Sequence, residues 1–246
     1  MEANDSTSCS YREQRLVEGV VANLPLFWGV SAPRLVDIAR RCWILPAARG
    51  ATVAERGTRL PGVLALAYGS VKLVLRKRDG GERLLRVISA RQTFGEAVAF
   101  LGRSAPYHAV ALQDSKLIVI PTAAVLMLLE SEPRFARSLV SSLAERNIQL
   151  HAEIEAATLL NGTQRLASYL HDLAGNGGSP TRTVRLPFSK TLVASRLGLK
   201  KETLSRLLRD LIERRVIGMT RRDIAILEPA QLGELALASP DSLPSA

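Results

Sequence analysis

Apolar and polar positions repeat with two different periods along the chain, and the change of period divides it. After a polar start, Leu16–Leu24 and Ala32–Arg41 have the spacing of short helices around the Pro25–Pro33 connection. From Trp43 the texture turns to short β-rich runs: Thr52–Ala54, Val63–Tyr68, Val71–Leu75, Leu84–Ile88, Ala109–Leu112 and Leu117–Ile120. Gly50, Gly57, Gly69, Gly80, Gly81 and Gly95 punctuate them, and closely spaced short strands of this kind predict an antiparallel sandwich or barrel. The clearest hairpin turn is Lys77-Arg78-Asp79-Gly80-Gly81-Glu82, where Asp-Gly and Gly-Gly supply the positive φ such turns require.

At Thr122 the period becomes helical. Thr122–Glu130 reads as one helix, and Pro133 suits the first turn of a longer one reaching about Thr158, because proline's missing N–H is no loss there. Along it Phe135, Leu139, Leu143, Leu150, Ile154 and Ala157 recur at spacings of three, four or seven. This seam wants a partner helix and predicts a dimer joined through Leu139, Leu143, Leu150 and Ile154. The alternative is packing against the chain's own β domain, and different faces of the helix can do both.

Beyond it Gln164–Ala174 reads as a helix, ended by Gly175-Asn176-Gly177-Gly178-Ser179-Pro180, and Val184–Pro187 as a short strand. Ser189 stands as N-cap for Lys190–Leu197, Gly198 breaks the chain, and a second helix runs from about Lys200 to Arg214. Val216–Met219 and Ile224–Leu227 form a small hairpin, and the tail after Ser239 is expected to fray. Helix, tight turn, helix and hairpin describe a winged helix-turn-helix. The expected class is α+β: an antiparallel β-roll sensor domain (16–132), a dimerisation helix (133–158) and a winged helix-turn-helix (159–235).

Charge changes this picture more than composition does. The formal net charge is +10, and between Arg165 and Arg222 thirteen Lys and Arg face four Asp and Glu, so the rest of the chain is nearly neutral. A basic block within a folded segment points to a polyanion, and nucleic acid is the usual one because each neutralised phosphate releases counterions. On the second helix Leu204, Leu207, Leu208, Leu211 and Ile212 must face a core. Glu202, Ser205, Arg206 and Arg209 share the other side at i, i+3, i+4 and i+7.

The N-terminal part of a recognition helix meets base edges. There Arg206 can pair bidentately with guanine, and Glu202 can accept from cytosine N4. A carboxylate among phosphates is a poor choice unless a base amino group receives it. The plainer alternative is a Glu202–Arg206 helix ion pair, which spacing alone does not exclude. Ser189, Arg196, Lys200, Lys201 and Arg209 are assigned to the DNA backbone or to solvent.

Other functions find little support. Cys9 and Cys42 are far apart and in no CxxC pair, which argues against a disulfide framework, a zinc site or a cysteine-held iron–sulfur cluster. No phosphate loop, HExxH or GxSxG motif is present, and His171 and Asp172, as neighbours on one helix, make a poor dyad. No catalytic or metal set is therefore assigned. No apolar run approaches a membrane span, and the polar start lacks a secretory signal's features, so the expected place is the cytoplasm.

At this point the chain resembles the CRP/FNR superfamily of bacterial transcription regulators, from about Leu16 to Leu235. The glycine-punctuated β segment ending in Phe94-Gly95-Glu96-Ala97 is similar to the family's cyclic-nucleotide-binding-type β-roll, and the long helix to its dimerisation helix. Most specific is Leu192-Val193-Ala194-Ser195-Arg196-Leu197-Gly198-Leu199-Lys200-Lys201-Glu202-Thr203-Leu204-Ser205-Arg206, which matches the helix-turn-helix signature. Glu-Thr-x-Ser-Arg is its FNR-type form. The resemblance makes Glu202, Ser205 and Arg206 the base readers and implies a TTGAT…ATCAA-like palindrome with half-sites about one helical turn apart. It implies a homodimer, and RNA polymerase as a partner if the protein activates. The family often caps this helix with Thr or Ser, where Lys200 stands here.

The sensor half departs from the family's cyclic-AMP pattern. Members that bind cyclic AMP follow Gly-Glu with an Arg-Ser pair that clamps the phosphate. Aligning Ala109-Val110-Ala111 with the following strand puts Tyr107 and His108 nearest that position, leaving Arg103-Ser104 in the preceding turn. The expected effector site is Gly95, Glu96, Tyr107 and His108, and cyclic AMP is disfavoured. The FNR oxygen-sensing cluster needs an N-terminal cysteine group, of which only Cys9 is present. Whole-chain texture looks closest to the DNR-type branch, associated with nitric oxide and heme. Heme would draw an axial ligand from His108, His151, His171, Tyr107, Cys9, Cys42 or a methionine. The readings weighed against this one are a cyclic-nucleotide-responsive or effector-independent regulator, and a cyclic-nucleotide-binding module for a protein partner.

Overall fold

The computed structural model describes residues 11–76, 78, 80–175 and 183–237. The expected Gly-rich linker beyond Gly175, positions 77 and 79 of the expected hairpin turn, and the tail after Ser239 lie outside these residues. The chain forms two compact units, one made chiefly of residues up to 147 and the other chiefly of residues from 148 on.

The first unit is built on two four-stranded sheets. One has the order β1 (Trp43–Ala47), β8 (Ser115–Pro121), β3 (Gly62–Tyr68), β6 (Thr93–Phe94). The other runs β2 (Thr52–Ala54), β7 (His108–Ala111), β4 (Ser70–Arg76), β5 (Glu82–Ser89). Successive side chains of a strand point to opposite faces, and here both faces are covered. Val63 and Ala65 of β3, with Ile118 and Ile120 of β8, pack under the helices, whereas Leu64, Leu66 and Leu117 pack between the sheets. This two-sided burial explains the near-continuous apolar runs of β3 and β8.

At Gly69 the chain leaves one sheet for the other in a single residue with φ +95, and a Cβ there would meet the Ser115 backbone at 2.7 Å. Only glycine fits both requirements.

The helical layer comprises α1 (Tyr11–Ala22), a 3₁₀ turn at Pro25–Phe27, α2 (Ala32–Arg41), α4 (Thr122–Ser131) and the start of α5 (Pro133–Leu159). The short α3 (Glu96–Phe100) lies between β6 and β7 in sequence. Phe27 meets Phe135 of α5 at 5.2 Å between ring centroids, and Arg34 pairs with Glu132 at 3.4 Å.

The dimer seam expected along α5 is divided in use. Phe135 and Leu139 are buried in the unit's own core and Leu143 packs against it, whereas Leu150 and Ile154 are exposed. Leu139 is thus corrected from an interface to a core position, while Leu143 is half-buried against the same core. The division between the two units falls within α5, after Asn147.

In the second unit α6 (Gly162–Gly175), α7 (Lys190–Leu197), α8 (Lys201–Glu213) and α9 (Pro229–Leu237) surround a sheet ordered β10 (Ile217–Thr220), β11 (Asp223–Ile226), β9 (Thr183–Arg185). Its core joins Leu166 and Leu170, Val193 and Leu197, Leu204, Leu208 and Leu211, with Ile217, Ile224 and Leu232. Each fully buried leucine contributes about 1.5–3 kcal/mol relative to exposure.

Candidate nucleic-acid interface and sensor site

The helix-turn-helix is set by three local features. Ser189 caps α7, its Oγ accepting the Leu192 N–H at 3.3 Å. Gly198 ends α7 in the left-handed conformation at φ +69, which turns the chain within three residues into α8. Lys200 occupies the N-cap of α8 and provides no side-chain cap, as its ammonium, a donor only, dictates. The first N–H groups of α8 are therefore left to solvent or a ligand.

On α8 the inward row holds for Leu204, Leu208 and Leu211, whereas Leu207 is half-buried and Ile212, expected in the core, is exposed near the helix end. Glu202, Arg206 and Arg209 are exposed and Ser205 is half-buried beside them. Among the described residues no ion pair joins Glu202 to Arg206, unlike Asp210 and Arg214 about two turns further on, which pair at 3.6 Å. Both functional groups are available to a ligand. Lys200 and Lys201 are exposed at the helix start, and Ser189 and Lys190 at the start of α7. Arg196 is different: it is half-buried and close enough to Tyr169 of α6 to offset part of the rise that burial imposes on that phenol's pKa. It is the member of the expected backbone set turned toward its own domain.

The structure brings Gly95, Glu96 and Tyr107 together, while His108 turns to the β2–β3 connection at Arg56. Gly95 has φ +91 and begins α3, and a Cβ there would meet Leu60 at 2.7 Å. Burial pushes the Tyr107 phenol well above its ordinary range, the Glu96 carboxylate adds to this, and Arg86 of β5 opposes it. Tyr107 stands edge-on to Phe94 at 6.4 Å. His108 accepts the Arg56 N–H at Nδ1 (3.4 Å), leaving Nε2 as its free ring nitrogen. Arg86 was not singled out from the sequence because only the pairing of strands brings β5 beside this group. Ser104 pairs with Arg59 in an isolated bridge, four residues before β7 begins, so Arg103-Ser104 lies ahead of the strand. Cys42 donates to the Ile38 carbonyl at 3.2 Å, and burial lifts its thiol from 9.0 to about 12. A buried neutral thiol is a poor metal ligand.

A β-roll of this topology, a long helix and a basic winged helix-turn-helix together define the class of helix-turn-helix proteins that carry a cyclic-nucleotide-binding-type domain. Residues 45–132 match the cyclic nucleotide-binding domain family, and residues 164–235 the Crp-like helix-turn-helix domain family. The chain belongs to the CRP/FNR superfamily and is a DNA-binding transcription regulator of that family.

It is 28% identical over 191 residues to the global nitrogen regulator of Synechococcus elongatus, covering 76% of this chain and 86% of that one. It is also 28% identical over 217 residues to the cyclic AMP receptor protein of Thermus thermophilus, covering 86% and 96%. FixK2 from Bradyrhizobium japonicum shares the fold, with a TM-score of 0.67 at 18% identity over 83% of this chain and 99% of that one. Among the described residues no helix is long and apolar enough to cross a membrane.

Proposed function

We propose that the protein is a dimeric regulator reading a TTGAT…ATCAA-like palindrome, with Glu202, Ser205 and Arg206 as base readers on each protomer. The observation that carries this is the exposed, unpaired state of Glu202 and Arg206 on the outward face of α8. A helix ion pair would have consumed both groups. Arg206 can then give two N–H groups to guanine O6 and N7, and Glu202 can accept from a cytosine amino group. Ser189, Lys190, Lys200, Lys201 and Arg209 ring this face and suit the phosphates, with Arg196 the least favourably placed. A two-fold dimer through the second half of α5 would present two such helices about one DNA turn apart. RNA polymerase is the partner if the bound protein activates.

The signal is assigned to the site formed by Gly95, Glu96, Tyr107 and His108. Cyclic AMP is disfavoured there, since Arg103-Ser104 precedes the strand and a cyclic phosphate would face the Glu96 carboxylate. For heme, Tyr107 and Cys42 are poor donors because both are held neutral by burial. His108 keeps its Nε2 and is the imidazole next to this site in the chain, so it is the ligand to test first.

The test is binding of wild type and Arg206→Ala to the palindrome and to random duplex at one salt concentration. Arg206→Ala should cost about 1–3 kcal/mol on the palindrome and relax discrimination at its guanine. Equal loss on both duplexes would remove Arg206 from base reading. Calorimetry with cyclic AMP tests the sensor assignment, and tight binding would overturn it.

A further inference from the structure

The wing carries a reading group of its own. The hairpin of β10 and β11 pairs Ile217 with Ile226 at its root and Thr220 with Asp223 at its end, leaving Arg221 and Arg222 as the two residues of the turn. Ile217 and Ile226 bury its root and Ile224 buries it again one pair short of the end, while both arginines are exposed. The Arg222 carbonyl accepts the Leu186 N–H at 2.8 Å, so the tip is also held to the segment after β9.

Arg221 has φ +56, a backbone state that favours glycine or asparagine. No described contact within the chain compensates for it. Strain of this kind does not itself locate a function, because Arg91 in the β-roll shares it at φ +68. Position does. Arg185 faces Asp223 across β9 and β11 and pairs with it at 3.7 Å, so those two charges cancel and the tip's excess belongs to Arg221 and Arg222.

We propose that Arg221 enters the minor groove flanking each half-site and makes the protein prefer A/T-rich flanks. This rests on the DNA-reading role proposed above for α8. The wing follows α8 directly, and both are pinned to one core. A strand of four residues runs about 13 Å from root to tip, and only the turn itself stands clear of the core. The major groove that would take α8 is about 12 Å wide, so a basic tip held on the same core is assigned to the phosphate ridge's far side, where the neighbouring minor groove opens. That groove is narrow and strongly negative along A-tracts. Arginine suits it better than lysine because a guanidinium sheds its hydration more easily. The held, left-handed turn presents the side chain at the apex and spares it the entropy of finding the groove.

The experiment measures affinity for three duplexes at one salt concentration: the palindrome with A-tract flanks, the same palindrome with G/C flanks, and random sequence. Wild type should prefer A-tract over G/C flanks by about tenfold. Arg221→Gly, which removes the side chain and relieves the backbone, should abolish that ratio while keeping the preference for palindrome over random DNA. Arg221→Lys should restore only part of it. If Arg221→Gly weakens all three duplexes alike, the residue is a phosphate anchor and the proposal falls. Wild type that selects the palindrome but ignores its flanks also overturns it and leaves the α8 reading intact. Wild type indifferent between palindrome and random duplex overturns both.

Discussion

The Val216 N–H donates to the Leu211 carbonyl at 2.9 Å, closing the end of the recognition helix. The Arg215 N–H donates to Ile212 at 2.9 Å in the same turn, and both Leu211 and Val216 are buried. This is a Schellman ending with arginine, at φ +56, where glycine is usual. Arg215→Gly should therefore raise stability by about 0.5–1 kcal/mol, read as a higher Tm. A lower Tm would mean that the exposed arginine makes a stabilising contact the backbone argument ignores.

The entrance to α6 depends on a reciprocal pair. The Asn161 N–H donates to Gln164 Oε1 at 2.7 Å, and the Gln164 N–H donates to Asn161 Oδ1 at 3.0 Å. Two orphan donors of the helix start are satisfied at once. Gln164 is fully buried, so Gln164→Ala should cost about 1–3 kcal/mol by leaving an N–H without its acceptor. Gln164→Met keeps the volume without the acceptor and should lose a similar amount. Chemical denaturation of the two variants gives the comparison, and a Gln164→Met chain as stable as wild type would show that the side-chain volume matters and the bond does not.

Cys42 makes stability depend on alkaline pH. Its pKa is raised in the folded chain from 9.0 to about 12, so the folded state holds the proton more tightly. Its contribution is complete below pH 9.0 and is lost as pH rises toward 12, because the unfolded chain ionises first. Cys42→Ala should flatten the decline in that window and leave neutral-pH behaviour nearly unchanged apart from a small cavity. Native protein should resist thiol reagents at Cys42 until it unfolds. Rapid modification of the native chain would contradict its burial.

Which elements the sequence made legible follows from how each is stabilised. α7 falls on the expected Lys190–Leu197 because Ser189 and Gly198 encode both ends locally. Strand β1 was missed: Pro46 interrupts its pattern, and it is tolerated because β1 lies at a sheet edge, where one face of the backbone needs no donor. β6 has two residues and α3 five, too short for any period to show. α9 was also missed, its Leu232 and Leu235 being buried against elements that only the fold brings near. The outward row of α8 was readable from helical spacing alone. The proximity of Arg86 to Tyr107 was not, since it depends on strand pairing between distant segments.

The divided seam of α5 gives two substitutions with opposite outcomes. Leu139 is 3% exposed within the β-domain core, while Ile154, further along the same helix, is 61% exposed. Leu139→Asp buries a carboxylate without a partner, which costs several kcal/mol and should unfold the domain. Ile154→Asp places the charge in water within the single chain, so the secondary structure should persist. In a dimer joined along the second half of α5 the same carboxylate would meet its own copy, where like charges and lost apolar contact act together. Sedimentation at micromolar concentration should show a dimer for wild type and a folded monomer for Ile154→Asp, with palindrome affinity falling because the two half-sites are no longer bound as a unit. A folded dimer for Ile154→Asp would place the interface elsewhere and leave the exposed stripe of Leu150 and Ile154 for another partner.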